Sequence, residues 1–525
     1  MRETYSVWER RVPLCPTRVQ QLVGSGIDVY VQPSTRRIFR DSEYAAAGAT
    51  VTMDLGNADV IVGVKQVAVD ELIRDKTYLF FSHVIKGQPE NMELLSTCLN
   101  RNIELIDYEC MTESGKRGAP RLIAFGEYAG RAGMIGSLRG LGQQLLSRGF
   151  TTPFVNIGSA YMYPSLASAK DAVSSAGRAF SEAGALGSVA DGFPLTFIFT
   201  GKGAVSRGAQ DIFNLLPHEY VSPTDLATVK LEGDPTVLYG TVVQPKDYTS
   251  RNGGGAFDMQ EYCAKPHLYV PHFHEQLLPH ASVLMNCMYW DASCPRLVTC
   301  DQMAAEWVVQ NNKRLLVLGD ITCDIGGSVE FLARSTRIEE PFFVWDPLTQ
   351  QEVATHQTGV LVLGVDILPS ELPRESSTHF SNLLAPMLEA LAGEEPDGNV
   401  SAVLSGACIT RSGALSSRYE YIPKLADHVR SEMAVTGEDR RQVQIRGHLF
   451  DTGLINKTLD LLEALGVEFS IDAMDVQPNL GFGRQIPSRV LMSLPRDRVT
   501  DVCTAMKLQL GSFPQADATV DVVAG

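Results

Sequence analysis

Two ionisable side chains that could move protons, Lys65 and His83, each follow directly on an apolar run of the chain. The runs, Asp59–Val64 and Thr77–Ser82, are rich in β-branched and aromatic residues and predict strands buried on both faces. A lysine and a histidine can both titrate near neutrality once desolvated, as general acid–base chemistry requires. From these residues alone a plainer interpretation is equally good: an ordinary strand-end lysine and a hydrogen-bonded turn histidine.

The segment between the two runs decides where these side chains would lie. Val67–Asp75 has apolar residues at helical spacing, so the whole stretch is predicted to be a strand–helix–strand unit. A right-handed crossover would make the strands parallel and bring both of their C-terminal ends to one edge of the sheet. Ligands of open α/β sheets bind at that edge, so we expect Lys65 and His83 to face one cleft.

A glycine-rich turn predicts a second functional element. The apolar strand Leu195–Phe199 leads into this turn and then into a helix through Leu216, which is the context that a dinucleotide fingerprint requires. Gly201 would permit the tight turn, Gly203 would let the backbone approach a pyrophosphate, and the amides at the helix N-terminus would bind phosphates. Ser206 stands at the third fingerprint position, where glycine is usual. The candidate cofactor-binding residues of the turn are Gly201, Gly203, Ala204, Val205, Ser206 and Arg207.

The end of the next predicted strand favours one nicotinamide cofactor over the other. A carboxylate there would bind a ribose 2′-hydroxyl, but this strand ends in Val221, Ser222 and Pro223. A hydroxyl at Ser222 with Arg207 nearby suits a 2′-phosphate better. We therefore predict NADPH/NADP rather than NADH/NAD.

Two aspartates follow a further strand. The apolar run Arg314–Gly319 leads into Asp320 and Asp324, with two glycines close behind. If the run is a strand of the same sheet, both carboxylates lie at its ligand-binding edge and are candidate cofactor-site residues. A simple polar turn explains the pattern equally well.

The bulk properties exclude several classes of protein. A chain of 525 residues is expected to form two or three domains, and a net charge of −16 offers no footprint for nucleic acid or an anionic membrane. Ten cysteines without a CxxC pair indicate reduced thiols of an intracellular protein. Residues 1–20 lack the profile of a secretory signal, and no apolar run approaches a membrane span. We expect a cytoplasmic protein, with the mitochondrial matrix as the alternative if a transit peptide was removed.

A cluster of histidines does not predict a metal site. Prolines separate His267, His272, His274 and His280, and no cysteine or paired-carboxylate pattern lies nearby, so we predict no bound metal. The sequence does not determine the oligomeric state, and a homo-oligomer is one option.

Several motifs resemble a known superfamily. ERRVPLCP, VGVK, FSHVIK, RLIAFGEYAG, FTGKGAVSRGAQDIFN and DITCD are similar to the alanine dehydrogenase, transhydrogenase and saccharopine dehydrogenase superfamily. Along residues 5–425 the chain most resembles the lysine–ketoglutarate reductases. The resemblance implies NADPH-dependent reductive condensation of L-lysine with 2-oxoglutarate to saccharopine, the first step of lysine degradation. It also implies functional coupling to a glutamate-forming saccharopine dehydrogenase.

The resemblance assigns roles to residues at matching positions. It implies that Lys65 and His83 are the acid–base groups and that Arg11 and Arg121 bind substrate carboxylates. Lys86 and Glu109 match further substrate-site residues. Three other functions remain open: a lysine-forming saccharopine dehydrogenase, an alanine dehydrogenase-like oxidoreductase, and a nicotinamide-bound regulatory protein.

Resemblance and strand pattern together predict an α/β protein with two Rossmann-like domains flanking a cleft. Residues 1–155 would form a substrate-binding domain, completed by about 365–435, and residues 156–364 a dinucleotide-binding domain. From Arg440 the apolar runs follow a βαββαβ order. Residues 436–525 are therefore predicted to be a ferredoxin-like α+β module with a regulatory or linker role.

Overall fold

The computed structural model divides by its contacts into two compact units. The first comprises Met1–Ser82 and Cys98–Ala414, and the second His83–Thr97 and Leu415–Gly525. The predicted domain limits at 435 and 436 lie outside the residues that the structure describes. The described residues are 6–116, 119–182, 194–290, 293–354, 358–393, 398–427, 440–449, 454–467, 469–475, 488–495, 498–510, 513 and 516–522.

These residues form a mixed α/β fold, which confirms the predicted class. Its strands are β1 (Tyr30–Val31), β2 (Thr50–Val51), β3 (Val60–Lys65), β4 (Thr77–Phe81), β5 (Glu104–Asp107), β6 (Thr196–Thr200), β7 (His218–Tyr220), β8 (Leu238–Val243), β9 (Thr249–Arg251), β10 (Tyr269–Pro271), β11 (Val283–Asn286), β12 (Val317–Asp320), β13 (Phe342–Asp346), β14 (Gln351–Val353), β15 (Val360–Leu363), β16 (Cys408–Arg411), β17 (Ala414–Leu415), β18 (Arg440–Gly447), β19 (Ser470–Asp475), β20 (Ser488–Pro495) and β21 (Thr519–Val522).

The helices of the described residues differ widely in length, and none of them is long and apolar enough to cross a membrane. They are α1 (Pro16–Gly24), α2 (Asp41–Ala46), α3 (Pro89–Asn100), α4 (Gly126–Ser147), α5 (Leu166–Glu182), α6 (Ala204–Phe213), α7 (Leu226–Glu232), α8 (Pro245–Tyr248), α9 (Met259–Ala264), α10 (Phe273–Gln276), α11 (Cys300–Ala304), α12 (Pro373–Leu391), α13 (Gly398–Ala407), α14 (Leu454–Ala464) and α15 (Val499–Leu510).

An eight-stranded sheet organises much of the first unit. Its order is β14-β13-β15-β12-β11-β6-β8-β7, and the six strands from β15 to β7 are parallel. Every residue of β6 is buried, as expected for a parallel strand covered on both faces. The carboxyl ends of β6, β11 and β12 therefore meet at one edge, where Thr200, Asn286 and Asp320 end their strands.

A second, five-stranded sheet of the first unit contains Lys65. Its order is β17-β16-β5-β4-β3, and β3, β4 and β5 are parallel, which confirms the parallel pairing predicted for β3 and β4. The helix predicted over 67–75 is wrong, because only the 3-10 turn Val69–Glu71 forms there. Tertiary bonds occupy the backbone instead: the Tyr78 hydroxyl accepts from the Ile73 N–H at 2.8 Å, and the Leu72 carbonyl accepts from Arg101.

Helix α4 runs through the interior of the first unit. A Cβ added at Gly130 would lie 1.9 Å from the Val205 carbonyl oxygen, so only glycine allows α4 to pack this closely on α6. Helix α12 holds the N-terminal segment, because the hydroxyls of Ser377 and Ser381 accept the backbone N–H groups of Val12 and Cys15 at 2.9 and 3.0 Å.

The second unit contains a four-stranded antiparallel sheet of order β19-β20-β18-β21. Along the chain its elements alternate as β18, α14, β19, β20, α15 and β21. Its core is built from aliphatic side chains of both helices and the sheet, among them Ile445, Leu462, Val490 and Val502.

Candidate active site

The glycine turn after β6 has the geometry of a phosphate cradle. Gly201 has a φ of +73°, which favours glycine, and its N–H donates to the Val243 carbonyl at 2.8 Å. A Cβ added at Gly203 would meet no heavy atom of the described residues within 4 Å, so the space above the turn is open. The first i→i−4 bond of α6 runs from Arg207 to Gly203, which leaves the first-turn amides without intrahelical partners. These residues therefore fit a dinucleotide pyrophosphate.

The polar side chains predicted around this turn are engaged elsewhere. Ser206 is fully buried and accepts from Gln210 Nε2 at 2.9 Å, so only its backbone can serve a ligand. Arg207 has 63% of its side chain exposed, and its Nη2 lies 3.7 Å from Glu127 Oε1. Ser222 follows the edge strand β7, with β8 between it and β6, and its hydroxyl lies 2.9 Å from that of Thr224.

A buried hydrogen-bond network joins the three strand ends beside the turn. Asn286 Nδ2 donates to Asp320 Oδ2 at 3.0 Å and to Ser328 Oγ at 2.7 Å, and Thr200 donates to Asn286 Oδ1 at 3.2 Å. Burial raises the pKa of Asp320 to about 6, although hydrogen bonds from Asn286, Thr322 and Cys323 oppose the rise. Asp320 thus lies inside the sheet edge, whereas Asp324 is exposed.

Sequence reasoning missed Asn286 and Thr200. Each is a polar residue that ends a short apolar run, the same signal that singled out Lys65 and Asp320. The strand register places Asn286 beside Asp320, because the two residues are paired between β11 and β12.

A second cluster consists of Arg11, Glu9 and Lys65. Arg11 binds Glu9 bidentately, with Nε–Oε1 and Nη2–Oε2 distances of 2.8 and 2.6 Å, and both side chains are almost wholly buried. Burial alone would raise the pKa of Glu9, but the charge and hydrogen bonds of Arg11 and the charge of Lys65 outweigh it and lower that pKa. Sequence reasoning singled out Arg11 but missed Glu9, two residues away.

Glu109 and Arg121 form a second ion pair in the first unit. Arg121 Nη2 lies 2.9 Å from Glu109 Oε1, with the carboxylate buried and 51% of the arginine side chain exposed. Asp107, at the end of β5, orients this pair by accepting the Glu109 N–H at 2.7 Å and the Ser82 N–H at 3.1 Å. The exposed guanidinium of Arg121 can still bind a further carboxylate.

Helix α4 connects the Arg11 cluster to the glycine turn. The Arg11 guanidinium carbon lies 4.3 Å from the centroid of the Phe125 ring, immediately before α4. A Cβ added at Gly126, the next residue, would lie 3.1 Å from the Ala204 Cβ at the start of α6. The structure therefore brings the candidate carboxylate anchor and the candidate dinucleotide turn to the two sides of one helix terminus.

His83 and Lys86 belong to the second unit. Lys65 is the register partner of Phe81, and His83 follows Phe81 by two residues. His83 has a φ of +56°, an unusual conformation for a residue other than glycine that concentrates at functional sites.

The turn Val84–Lys86 between His83 and Gly87 is held by the second unit's own residues. A Cβ at Gly87 would lie 2.9 Å from the Ala426 nitrogen, and Tyr421 donates to the Ile85 carbonyl at 3.5 Å. Lys86 is exposed at the end of this turn.

Among the described residues, no group of three or more His, Cys, Asp or Glu side chains is arranged to hold a metal ion.

Comparisons with known proteins give two family matches and several relatives. The family described as "Alanine dehydrogenase/PNT, N-terminal domain" matches residues 1–132, and "LOR/SDH bifunctional enzyme conserved region" matches residues 440–497. Alpha-aminoadipic semialdehyde synthase of Arabidopsis thaliana is 39% identical over 89% of this chain and 46% of its own length. The mitochondrial synthase of Bos taurus is 38% identical over 85% and 50%.

A more distant relative is matched over most of its length. The L-lysine-forming, NAD(+) saccharopine dehydrogenase of Emericella nidulans is 25% identical over 74% of this chain and 90% of its own. The chain thus spans about half the length of the synthases it matches.

Proposed function

We propose, from the homology of this chain to the alpha-aminoadipic semialdehyde synthases, that it is a lysine–ketoglutarate reductase. The reaction is the reductive condensation of L-lysine with 2-oxoglutarate to saccharopine, by an oxidoreductase acting on CH–NH groups. The observation that carries the proposal is the pair of contacts at the start of α4, where Phe125 lies against Arg11 and Gly126 against Ala204 of the glycine turn. It supports one cleft that holds a dicarboxylate and a dinucleotide together.

Proton transfer is the task proposed for Lys65 and His83. The ε-amine of lysine, with a solution pKa of about 10.4, must be neutral to attack the keto carbon of 2-oxoglutarate. We assign His83 to proton transfer on the amine and the carbinolamine, and Lys65 to the carbonyl oxygen that leaves as water. A bound nicotinamide cofactor supplies the hydride that reduces the resulting imine.

Carboxylate binding is the task proposed for the two arginines. A guanidinium fork matches a carboxylate in geometry and charge. Arg121, half exposed, can take a substrate carboxylate while it keeps Glu109, whereas Arg11 is buried against Glu9 and must share its donors. Lys86 and Glu109 are proposed as further substrate contacts.

The cofactor proposed is NADPH, with its pyrophosphate on the glycine turn. Gly201 supplies the tight turn and Gly203 open backbone, and Ala204, Val205 and Ser206 supply amides at the start of α6. Ser222 and Arg207 are proposed near the adenosine ribose, and Asp320 and Asp324 near the strand ends. The predicted strand end Val221, Ser222 and Pro223 carries no carboxylate, which supports NADPH over NADH.

The domain division is proposed as follows. Two Rossmann-like domains, residues 1–155 with about 365–435 and residues 156–364, flank the cleft, and closure would exclude water from the imine. The strand order β19-β20-β18-β21 supports a ferredoxin-like regulatory or linker module over 436–525.

A glutamate-forming saccharopine dehydrogenase is the proposed functional partner. The compartment proposed is the cytoplasm, with the mitochondrial matrix as the alternative that the name of the bovine relative supports.

A competition of substrates tests the proposal against its alternatives. We expect the chain to oxidise NADPH rapidly with L-lysine plus 2-oxoglutarate and slowly with pyruvate plus ammonia. Preferential use of pyruvate and ammonia with NADH would identify an alanine dehydrogenase-like enzyme. Faster oxidation of saccharopine by NAD(+) would identify a lysine-forming dehydrogenase. No turnover with any of these pairs would favour a regulatory protein.

A further inference from the structure

β6 is the strand that leads into the glycine turn and is called the glycine strand below. The strand next to it in the sheet is β8, and this strand order determines which residues can reach a cofactor. β8 pairs with β6 over the whole length of β6, from Thr196↔Tyr239 to Thr200↔Val243. β7 is an edge strand whose partner in the sheet is β8. The chain therefore passes from β6 to the edge of the sheet and returns to fill the place next to β6.

In dinucleotide-binding sheets, the strand beside the glycine strand carries at its carboxyl end the group that recognises the adenosine ribose. Here that end is Val243, Gln244, Pro245 and Lys246. The Val243 carbonyl accepts the N–H of Gly201 at 2.8 Å, so the end of β8 touches the glycine turn itself. Lys246 lies three residues on, which keeps its Cα within about 10 Å of that contact.

The side chains at this strand end favour a phosphate. Gln244 stands where a carboxylate would select a free 2′-hydroxyl. Asp247, the carboxylate next in the chain, is turned back onto the Gln244 N–H at 2.8 Å and caps α8. Lys246 is exposed, and its ammonium is a mobile cation of the kind that binds phosphate as a point charge.

The two residues proposed above for the same role are less well placed. The register Tyr220↔Gly240 ends β7 three residues short of Val243, and Ser222 lies two strand spacings, about 10 Å, from β6. Arg207 has its guanidinium near Glu127 on α4. We infer that Lys246 binds the adenosine 2′-phosphate and sets the preference for NADPH. This inference rests on the proposed function and identifies its specificity-determining residue.

Nucleotide fragments test the inference without turnover. Binding of 2′,5′-ADP and of 5′-ADP to the full chain is measured by calorimetry. We expect the wild type to prefer 2′,5′-ADP, and Lys246→Ala to lose about 10- to 100-fold of that affinity while 5′-ADP binding stays unchanged. Lys246→Arg should keep the preference. Lys230→Ala, at an exposed lysine on α7, is the matched control and should leave both affinities intact.

Three outcomes decide between the candidates. Loss of the preference in Ser222→Ala or Arg207→Ala, with Lys246→Ala unchanged, would overturn the inference and leave the proposed function standing. Equal binding of the two nucleotides by the wild type would also overturn it. A wild type that binds neither nucleotide would instead remove the proposed dinucleotide site itself.

Discussion

Two buried carboxylates, Glu9 and Asp320, lie in opposite electrostatic surroundings. Glu9 is held by the Arg11 fork with Lys65 nearby, and these cations lower its pKa in spite of burial. Asp320 is held by an amide, a hydroxyl and a backbone N–H, and burial raises its pKa to about 6. Ion pairs therefore build the candidate substrate region, whereas hydrogen bonds from neutral donors build the strand ends beside the glycine turn.

The difference suits the two tasks proposed for these regions. A substrate carboxylate can share the donors of Arg11 with Glu9 or join Glu109 on Arg121, because a guanidinium fork already matches the geometry that the carboxylate would use. A dinucleotide needs open backbone instead, and a network without cationic side chains can fix strand ends without competing for phosphates.

The largest expected effect is a loss of turnover when a proposed acid–base group is removed, while nucleotide binding is kept. Lys65→Met and His83→Asn should each lower turnover by about 10²- to 10⁴-fold, since each removes a proposed acid–base group. Asn is chosen at 83 because it tolerates the left-handed backbone there. Binding of NADPH, measured by fluorescence, should stay near the wild-type value, and Lys313→Met at an exposed lysine serves as control. Near-normal turnover in both variants would refute the assignment.

The second effect is on stability. Glu9→Gln leaves the Arg11 guanidinium buried without its counter-charge, which should cost about 3 to 5 kcal/mol in the free energy of unfolding. The exposed pair Arg334–Glu352 is the matched control, so Glu352→Gln should cost less than about 1 kcal/mol. Urea titrations of both variants compare the costs. Equal costs would show that burial does not distinguish these pairs.

The third effect is a pH dependence from Asp320. Its folded pKa of about 6 lies above the unfolded value, so the native state binds the extra proton and stability falls as the pH rises from about 4 to about 6. The fall should be about 3 kcal/mol. Asp320→Asn should reduce the slope by that amount, as thermal unfolding across that range would reveal. An unchanged slope in the variant would assign it to another group.

The same range should leave the Glu9 contribution intact. Because its folded pKa is lowered, Glu9 stabilises the fold above its unfolded pKa of about 4.3 and loses that contribution only as the pH falls further. Glu9→Gln should therefore flatten the acid limb of the profile and spare the slope above it.

The smallest effect distinguishes packing from ligand binding at two glycines. Gly130→Ala would drive a methyl group into the Val205 carbonyl and should cost about 1 to 3 kcal/mol of stability. Gly203→Ala meets no described atom within 4 Å, so it should spare stability but weaken nucleotide binding by filling the cradle. Thermal unfolding and nucleotide calorimetry on both variants check this. Normal nucleotide binding by Gly203→Ala would argue against a pyrophosphate there.

Local patterns predicted the elements that carry the site. The buried runs of β3, β4, β6 and β12 were all recognisable, because parallel strands buried on both faces are continuously apolar. The helix over 67–75 was not, since its spacing also fits a turn held by Tyr78 and Arg101. Spacing cannot reveal partners distant in the chain.

The partners of the site residues were harder to predict. The position of β8 between β6 and β7 depends on long-range pairing, and so does the register of Asn286 with Asp320. Glu9 was missed for another reason. It stands two residues before Arg11, where an acidic residue is usually an exposed surface charge. Only the burial of both side chains shows that it pairs with Arg11.

The central claim is that one cleft joins lysine to 2-oxoglutarate and reduces the product with NADPH. The most direct measurement incubates the full chain with L-lysine, 2-oxoglutarate and NADPH deuterated at C4, and analyses the products by mass spectrometry. The account predicts saccharopine that carries a single deuterium from the cofactor, formed only when both substrates are present. NADPH oxidation without labelled saccharopine, or no oxidation at all, would contradict it.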